Sequence, residues 1–91
     1  ILESEYKERS STLAEACVDS ALLKIALDNN YSPTNETVSV GKDSCLIKEV
    51  TTNSQQKIIT TQAKYQESYT NLKVTIQTNN LQVLSWIEVA K

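Results

Sequence analysis

SSTLAEACVDSALLKIAL, residues Ser10–Leu27, is the stretch of this 91-residue chain that decides its fold. Apolar residues recur in it at the three- and four-residue spacing of one face of an α-helix. Acidic and basic residues fall on the opposite face. We therefore predict an amphipathic helix with an apolar stripe of Ala14, Cys17, Val18, Ala21, Leu22 and Ile25, widened by Leu13, Ala16, Leu23 and Leu27.

The predicted helix covers residues 1–29. Residues 1–9 contain no glycine, proline or asparagine that would interrupt it, whereas Asp28-Asn29-Asn30 supplies a stop, with asparagine suited to a left-handed cap. The chain begins at Ile1 already in helical register. This start indicates a cut or processed N-terminus. Residues 1–9 are then either a frayed helix end or the middle of a longer helix whose start is missing.

From Thr34 onward the pattern changes to the two-residue alternation that is typical of β-strands. Four to five strands are expected over residues 34–91. Thr37–Val40 and Ser44–Val50 flank the single glycine, Gly41, and this order predicts a hairpin. The further strands are Lys57–Lys64, Thr70–Thr78 and Leu81–Val89, with polar turns over 51–56 and 65–69.

One helix followed by four to five antiparallel strands indicates an α+β fold. A long N-terminal helix would lie on one face of the antiparallel sheet. The chain length fits a single domain, residues 1–91, whose hydrophobic core alone is marginal for stability.

The two cysteines, Cys17 and Cys45, allow either two free thiols or one disulfide. The predicted hairpin would carry Cys45 toward Cys17, because the hairpin's inner face would lie on the helix. A bridge closing a loop of this size stabilises a fold by roughly 3–4 kcal/mol in the chain-entropy model. We favour the disulfide, which implies an exported, oxidising location.

Catalytic chemistry has little support in this composition. The chain has no histidine, so the usual serine or cysteine nucleophiles would lack a base, and its single glycine rules out a glycine-rich phosphate loop. A net charge of −2 without a basic cluster argues against nucleic acid. We expect no catalytic, cofactor-binding or metal-binding residues and no small-molecule substrate. Oxygen atoms of residues 28–30 and of Glu36 suit Ca²⁺, but a helix stop and a polar turn explain them better.

The last predicted strand carries apolar side chains on both faces. Leu84 and Trp86 would lie on its outer face. At a sheet edge they would form a contact surface for another subunit. Alternatively, they cover the end of the sheet or pack under the loop Tyr65–Tyr69.

The helix also contains the residue order Ala14-Glu15-x-x-Val18-Asp19-x-Ala21-Leu22. This order resembles the segment that follows the membrane helix in type IV pilin-like proteins of the PilX kind. Those proteins have an alanine and an acid, a glycine or small residue, an aliphatic residue, a second acid, then alanine and leucine. Cys17 stands where glycine is commoner, and it supplies a thiol for a bridge to Cys45.

The resemblance implies a structural subunit of a type IV pilus or related filament or secretion machine, either a PilX-type minor pilin or a pseudopilin. In this family an apolar N-terminal helix, trimmed by a prepilin peptidase, anchors the subunit in the membrane and later lies in the filament core. Residues 1–28 would continue that helix, and the sheet would face outward. The implied partners are other pilin subunits and, through the preceding helix, the membrane. The implied location is an extracellular surface filament.

An alternative function is a secreted, non-enzymatic binding module, such as an adhesin or a cystatin-like inhibitor. Cystatins also lay a helix across an antiparallel sheet. They need a glycine near the N-terminus and a Gln-x-Val-x-Gly hairpin, and this chain has neither.

Overall fold

The computed structural model describes residues 2–90, with side chains from Glu5 onward. Its helix, α1 (Leu2–Leu27), precedes the strands β1 (Thr34–Val40), β2 (Asp43–Asn53), β3 (Gln56–Tyr65), β4 (Ser68–Gln77) and β5 (Val83–Val89). Each strand pairs antiparallel with the next, so the sheet order is β1-β2-β3-β4-β5. The predicted α+β class, with one helix packed on an antiparallel sheet, is confirmed.

The helix ends slightly earlier than predicted. The N–H of Asp28 donates to the carbonyl oxygen of Lys24 at 2.9 Å, and Asp28 Oδ1 then accepts the N–H of Asn30 at 3.0 Å. Asn29 therefore lies in a turn outside the helix, and the predicted end at residue 29 is wrong by two residues. The predicted start at Ile1 lies outside the described residues. Within those residues, no helix combines the length and apolar composition needed to cross a bilayer.

The predicted apolar stripe forms the helical half of the core. Small residues on α1 let the sheet approach closely, and Thr61 Oγ1 of β3 donates to the carbonyl oxygen of Ala14 at 3.1 Å. The helix lies over β3, with β2 and β4 on either side. The buried apolar residues are Leu13, Ala14, Cys17, Val18, Ala21 and Ile25 of the helix and Cys45, Ile47, Val50, Ile59, Ala63, Leu72, Val74 and Ile76 of the sheet.

Two residues predicted to widen the stripe do not contact the sheet. Leu23 is 63% exposed and Leu27 is 80% exposed. Leu23 follows the buried Ala21 by two positions, which is roughly 200° around a helix axis. It therefore projects away from the sheet, whereas Leu13 is buried and Ala16 is half-buried, as the prediction requires.

Three of the strand connections are two-residue turns. The first residue of each turn has a positive φ, at 63° for Gly41, 61° for Ser54 and 57° for Gln66. A positive φ at this position matches the turn type whose twist suits adjacent antiparallel strands. The polar segments 51–56 and 65–69 are therefore mostly strand, with shorter turns than predicted.

A disulfide joins the middle of α1 to β2. Cys17 and Cys45 are bridged, with an Sγ–Sγ distance of 1.99 Å and a Cα–Cα distance of 6.0 Å. Both residues are buried in the core. The predicted bridge is confirmed, and it fixes the position of the helix along the sheet.

Replacing both Cys17 and Cys45 with alanine is expected to lower the free energy of unfolding by roughly 3–4 kcal/mol. The bridge spans a sequence separation of 28 residues, and its loss frees that loop in the unfolded chain. Urea unfolding of the variant and of the oxidised wild type measures the difference. Wild type unfolded with excess reductant should match the variant, and a loss below about 1 kcal/mol would contradict this account.

Candidate functional site at the exposed edge strand

Strand β5 forms one edge of the sheet and pairs with β4. In the described part of the chain, no Cα atom of α1 lies within 8 Å of a β5 Cα atom, so the helix does not cover this strand. Four of its five apolar side chains are between 42% and 48% exposed. We call this set the apolar edge strip; it consists of Val83, Leu84, Trp86 and Ile87.

A β-bulge interrupts the pairing of β5 with β4. Ser85 lies opposite Thr75, but the next residue on β4, Ile76, lies opposite Val83. Leu84 is therefore the extra residue of the bulge. A bulge of this kind breaks the two-residue alternation of faces. Odd-numbered residues therefore do not all lie on one face of the sheet across the bulge, and neither do even-numbered residues.

The register places Trp86 on the face that carries the helix. Trp86 lies opposite Val74, and residues directly opposite in an antiparallel pair share a face. Val74 is fully buried in the core beneath α1. The prediction of Leu84 and Trp86 together on the outer face is therefore wrong, because Leu84 is in the bulge and Trp86 faces the helix side. Ile87, opposite the exposed Lys73, lies on the outer face.

The charge on β5 is paired within its own chain. Glu88 is the one ionisable residue of this strand, and its carboxylate accepts a hydrogen bond from Lys7 Nζ of the helix. Lys7 also donates to the carbonyl oxygen of Tyr69 at 2.7 Å. Both side chains of the ion pair are about half exposed, so the pair adds little stability. Its effect is to leave the strip beside it electrically neutral.

Hydroxyl groups buried near this contact were not predicted from the sequence. The hydroxyl oxygens of Ser10 and Thr70 lie 2.8 Å apart, and Ser11 Oγ lies 3.2 Å from the same Thr70 oxygen. Ser10 precedes Ala14 by four positions, so the helical spacing already places it on the apolar stripe. That spacing was the signal for a buried serine with a hydroxyl partner on the sheet.

The opposite edge of the sheet, β1, is attached to the helix by a closed polar cluster. Lys24 Nζ donates to Glu36 Oε2, and Tyr31 Oη donates to Glu36 Oε1 at 2.6 Å. The Lys24 ammonium also lies 5.7 Å from the centroid of the Tyr31 ring, within the range of a cation–π contact. Each of the three side chains therefore contacts the other two.

This cluster shifts two pKa values in opposite directions. The hydrogen bonds from Lys24 and Tyr31 lower the pKa of Glu36 below its ordinary value of 4.5. Burial raises the pKa of Tyr31 well above its ordinary value of 10.0, and the bond to Glu36 raises it further. The folded state thus favours a charged Glu36 and a neutral Tyr31.

The oxygen atoms considered for Ca²⁺ do not form a shared site. Both carboxylate oxygens of Glu36 accept hydrogen bonds from within the cluster, and Asp28 Oδ1 accepts the N–H of Asn30. Among the described residues, no three histidine, cysteine or acidic side chains are grouped to hold a metal ion. A cleft of 450 Å³ at the C-terminal end of α1 is lined by Ile25, Ala26, Asn29 and 78–81, none of them ionisable.

A scan against protein-family models found no match to this chain, and searches of curated proteins and of solved structures found none either. Its function is therefore inferred from its own surface. Of the predicted site residues, Cys17 and Cys45 lie inside the core, whereas Leu84 and Trp86 lie on the surface. The structure does not bring the two pairs together, and the second pair is the one that a partner can reach.

The polar cluster predicts how acid affects stability. Because the pKa of Glu36 is lowered in the folded state, its contribution is present above pH 4.5 and is lost as the pH falls through the lowered value. The free energy of unfolding of Glu36→Gln should therefore lie below that of wild type near neutral pH, and the gap should narrow in acid. Urea unfolding over a pH series measures this gap.

The control is Glu49→Gln, which removes the same charge from an exposed position on β2. This variant should follow the pH dependence of wild type. A gap between wild type and Glu36→Gln that stays constant from neutral pH into acid would contradict the assigned role of the cluster.

Proposed function

We propose that this chain is a structural subunit of a type IV pilus or a related filament or secretion machine. It acts by packing against other subunits rather than by chemistry. The apolar edge strip on β5 is the observation that carries this proposal. Four of the six large hydrophobic side chains exposed in the described residues lie on this one strand. Exposed apolar patches of this kind mark contact surfaces on soluble proteins.

Trp86 is the central anchor of the proposed contact. It is 43% exposed at the sheet edge and is flanked by Leu84 and Ile87. Tryptophan is enriched among the residues that contribute most to protein interfaces, because its large ring loses much water-exposed surface when a partner covers it. A subunit that presents such an anchor on an uncovered strand is suited to lateral packing.

The pilin-like part of the proposal is supported by how the resembling segment is arranged on the fold. Three of its four apolar members, Ala14, Val18 and Ala21, are fully buried against the sheet, and the fourth, Leu22, is half-buried beside them. Its acidic members Glu15 and Asp19 are exposed on the other side of α1. The apolar positions therefore serve this domain's own core, and the acids are accessible to neighbouring subunits.

The proposed location is the cell surface, with membrane anchoring before assembly. The Cys17–Cys45 bridge supports an exported protein, because disulfides persist mainly in oxidising compartments. A membrane helix that continues α1 at its N-terminal end would hold the subunit in the bilayer and then in the filament. The sheet and its β5 edge would then face neighbours or the surroundings.

Trp86→Ser tests the contact in the cell that encodes the full-length protein. We expect this variant to reduce the amount recovered in sheared surface filaments by about tenfold or more, since truncating a central aromatic anchor typically costs at least ~2 kcal/mol of binding. Quantitative immunoblotting of the sheared and cell-bound fractions measures the effect.

The matched control is Leu27→Ser, which removes an exposed apolar side chain at the end of α1, outside the apolar edge strip. It should be recovered in filaments at the wild-type amount. Equal recovery of Trp86→Ser and wild type, or absence of the wild-type protein from the sheared fraction, would overturn the proposed function.

The coding sequence upstream of Ile1 tests the pilin-like proposal separately. We expect it to encode roughly 20 consecutive apolar residues, the length of a membrane-spanning helix. Sequencing the gene and identifying the mature N-terminus by mass spectrometry settle the matter. A coding sequence that begins close to Ile1 would be incompatible with a membrane-anchored subunit.

A further inference from the structure

We propose that the outward face of α1 in one copy of this chain packs on the outer face of the sheet in the next copy. This inference rests on the proposed packing of like subunits and adds a second contact surface to the apolar edge strip. The two surfaces differ, so the contact is head-to-tail and can repeat. Copies related by a shift along the sheet normal keep their helices parallel, as anchoring in one membrane requires.

The face of α1 that points away from the sheet is acidic. We call it the acidic helix face; its exposed carboxylates are Glu5, Glu8, Glu15 and Asp19. In the described part of the chain, none of the four is in an ion pair. Arg9 lies at the margin of this face, with its guanidinium 5.1 Å from the centroid of the Tyr65 ring. The face therefore offers an unneutralised line of negative charge.

The outer face of the sheet, which α1 does not cover, carries lysines. Lys64 on β3 and Lys73 on β4 are exposed, and each has core or core-packed residues on both sides of it in its strand. Because side chains alternate between faces along a strand, both lysines point away from the helix. A third exposed lysine, Lys48, lies beside them in the β2 bulge, and Glu49 is the one acid on this face among the described strand residues. This face is therefore basic and complements the acidic helix face.

Two contacts within one copy show how the helix is aligned with the strands. In the first, Thr61 Oγ1 of β3 donates to the carbonyl oxygen of Ala14. In the second, the hydroxyl of Ser10 lies 2.8 Å from that of Thr70, which is opposite Ala63. Four helix residues, about 6 Å, therefore span the same length as two strand residues, about 6.7 Å. The helix runs alongside the strands.

On this scale the lysines and the acids have matching positions. Lys64 lies one strand residue past the second contact, about 3.3 Å or two helix residues, and is therefore level with Glu8. Lys73 lies one strand residue past the first contact, in the other direction, and is level with the gap between Glu15 and Asp19. A copy shifted straight along the sheet normal thus places a carboxylate beside each ammonium.

An apolar pair extends the same contact. Leu23 is 63% exposed on the outward side of α1. Ile58 is half-buried on the outer face of the sheet, between the buried Lys57 and Ile59. By the same scale Leu23 lies about 4 Å past the row of Ile58, within reach of it, whereas Leu27 lies about 10 Å past that row and outside the contact.

A single contact of this kind is weak between free domains. The helix face from Glu5 to Leu23 is about 28 Å long and ~10 Å wide, roughly 300 Å², against the ~800 Å² per partner of stable complexes. Exposed ion pairs contribute little individually. We expect a Kd on the order of 0.1–1 mM at low ionic strength. Subunits that share an anchor are held at about millimolar effective concentration, where such a contact forms.

A charge exchange between the two faces tests the contact. In Lys73→Glu a glutamate on the sheet meets the acids of the next helix, and in Glu15→Lys a lysine on the helix meets Lys73 of the next sheet. The Kd of either variant alone should rise about fivefold or more, because an attraction becomes a repulsion. An equimolar mixture should associate like wild type, since the new glutamate then meets the new lysine. Sedimentation velocity up to about 2 mM at low ionic strength measures all three.

Lys42→Glu is the control, since it makes the same charge change at an exposed turn position outside both faces. It should leave the Kd unchanged. Circular dichroism and the unfolding midpoint check that each variant is folded. Wild-type associates should also grow beyond dimers, because each contact leaves one free face of each kind. An ionic strength of about 0.5 M should disperse them, since the screening length then falls to about 4 Å.

Three results would overturn the stacking. They are a wild-type chain that stays monomeric at about 2 mM, a mixture that fails to recover association, or association that stops at a dimer or survives high salt. If the stacking fails but Trp86→Ser still blocks incorporation into filaments, the apolar edge strip is the contact and the proposed function stands. If the stacking holds while the wild-type protein is absent from sheared filaments, the filament role fails alone.

Discussion

A single α-helix, about 10–12 Å across with its side chains, can cover only two or three strands spaced ~4.8 Å apart. This limit governs the molecule, because its one helix packs on a sheet of five strands. Burial of the Ala14–Ile25 stripe over β2, β3 and β4 supplies the core, and the Cys17–Cys45 bridge fixes the helix on that middle part of the sheet. The helix leaves the two outer strands, β1 and β5, uncovered. The exposed side of each strand must therefore be made compatible with water in another way.

The two edges meet this requirement differently. On β1, Glu36 accepts hydrogen bonds from Lys24 and Tyr31, so the strand is attached to the helix by charge and its outward side chains are polar. On β5, Glu88 contacts Lys7 near the end of the strand, and the apolar residues before it remain exposed. An uncovered apolar edge is costly in solution, and a partner that covers it removes that cost. The two edges of the sheet therefore differ in polarity, with β1 polar and β5 apolar.

The helix and the inner strands follow from the sequence because each keeps one period throughout. The helical spacing predicts the buried stripe, and the alternation in β4 predicts Leu72, Val74 and Ile76 on the core side.

Alternation fails at the bulges, in β2 between Ile47 and Glu49 and in β5 at Leu84, because one inserted residue exchanges the two faces. The adjacent apolar residues Val83 and Leu84 are a local sign of this, but only the strand register shows that Trp86 faces the helix side. The polar cluster on β1 joins residues 24, 31 and 36. Neither the helical spacing nor the two-residue alternation of strands predicts that these three side chains contact one another.

The strand order also bears on how quickly the domain reaches its native state. Every strand pairs with its neighbour in sequence, and three of the four hairpins close through two-residue turns, so the sheet contains mostly short-range contacts. Isolated hairpins form within about 1–10 μs. Docking α1 closes much longer loops, as from Ala14 to Thr61, 47 residues apart, and from Ser10 to Thr70, 60 residues apart, and it therefore costs more conformational entropy. Until the helix docks, the apolar face of the sheet stays open to solvent, and exposed apolar surface of this kind favours aggregation.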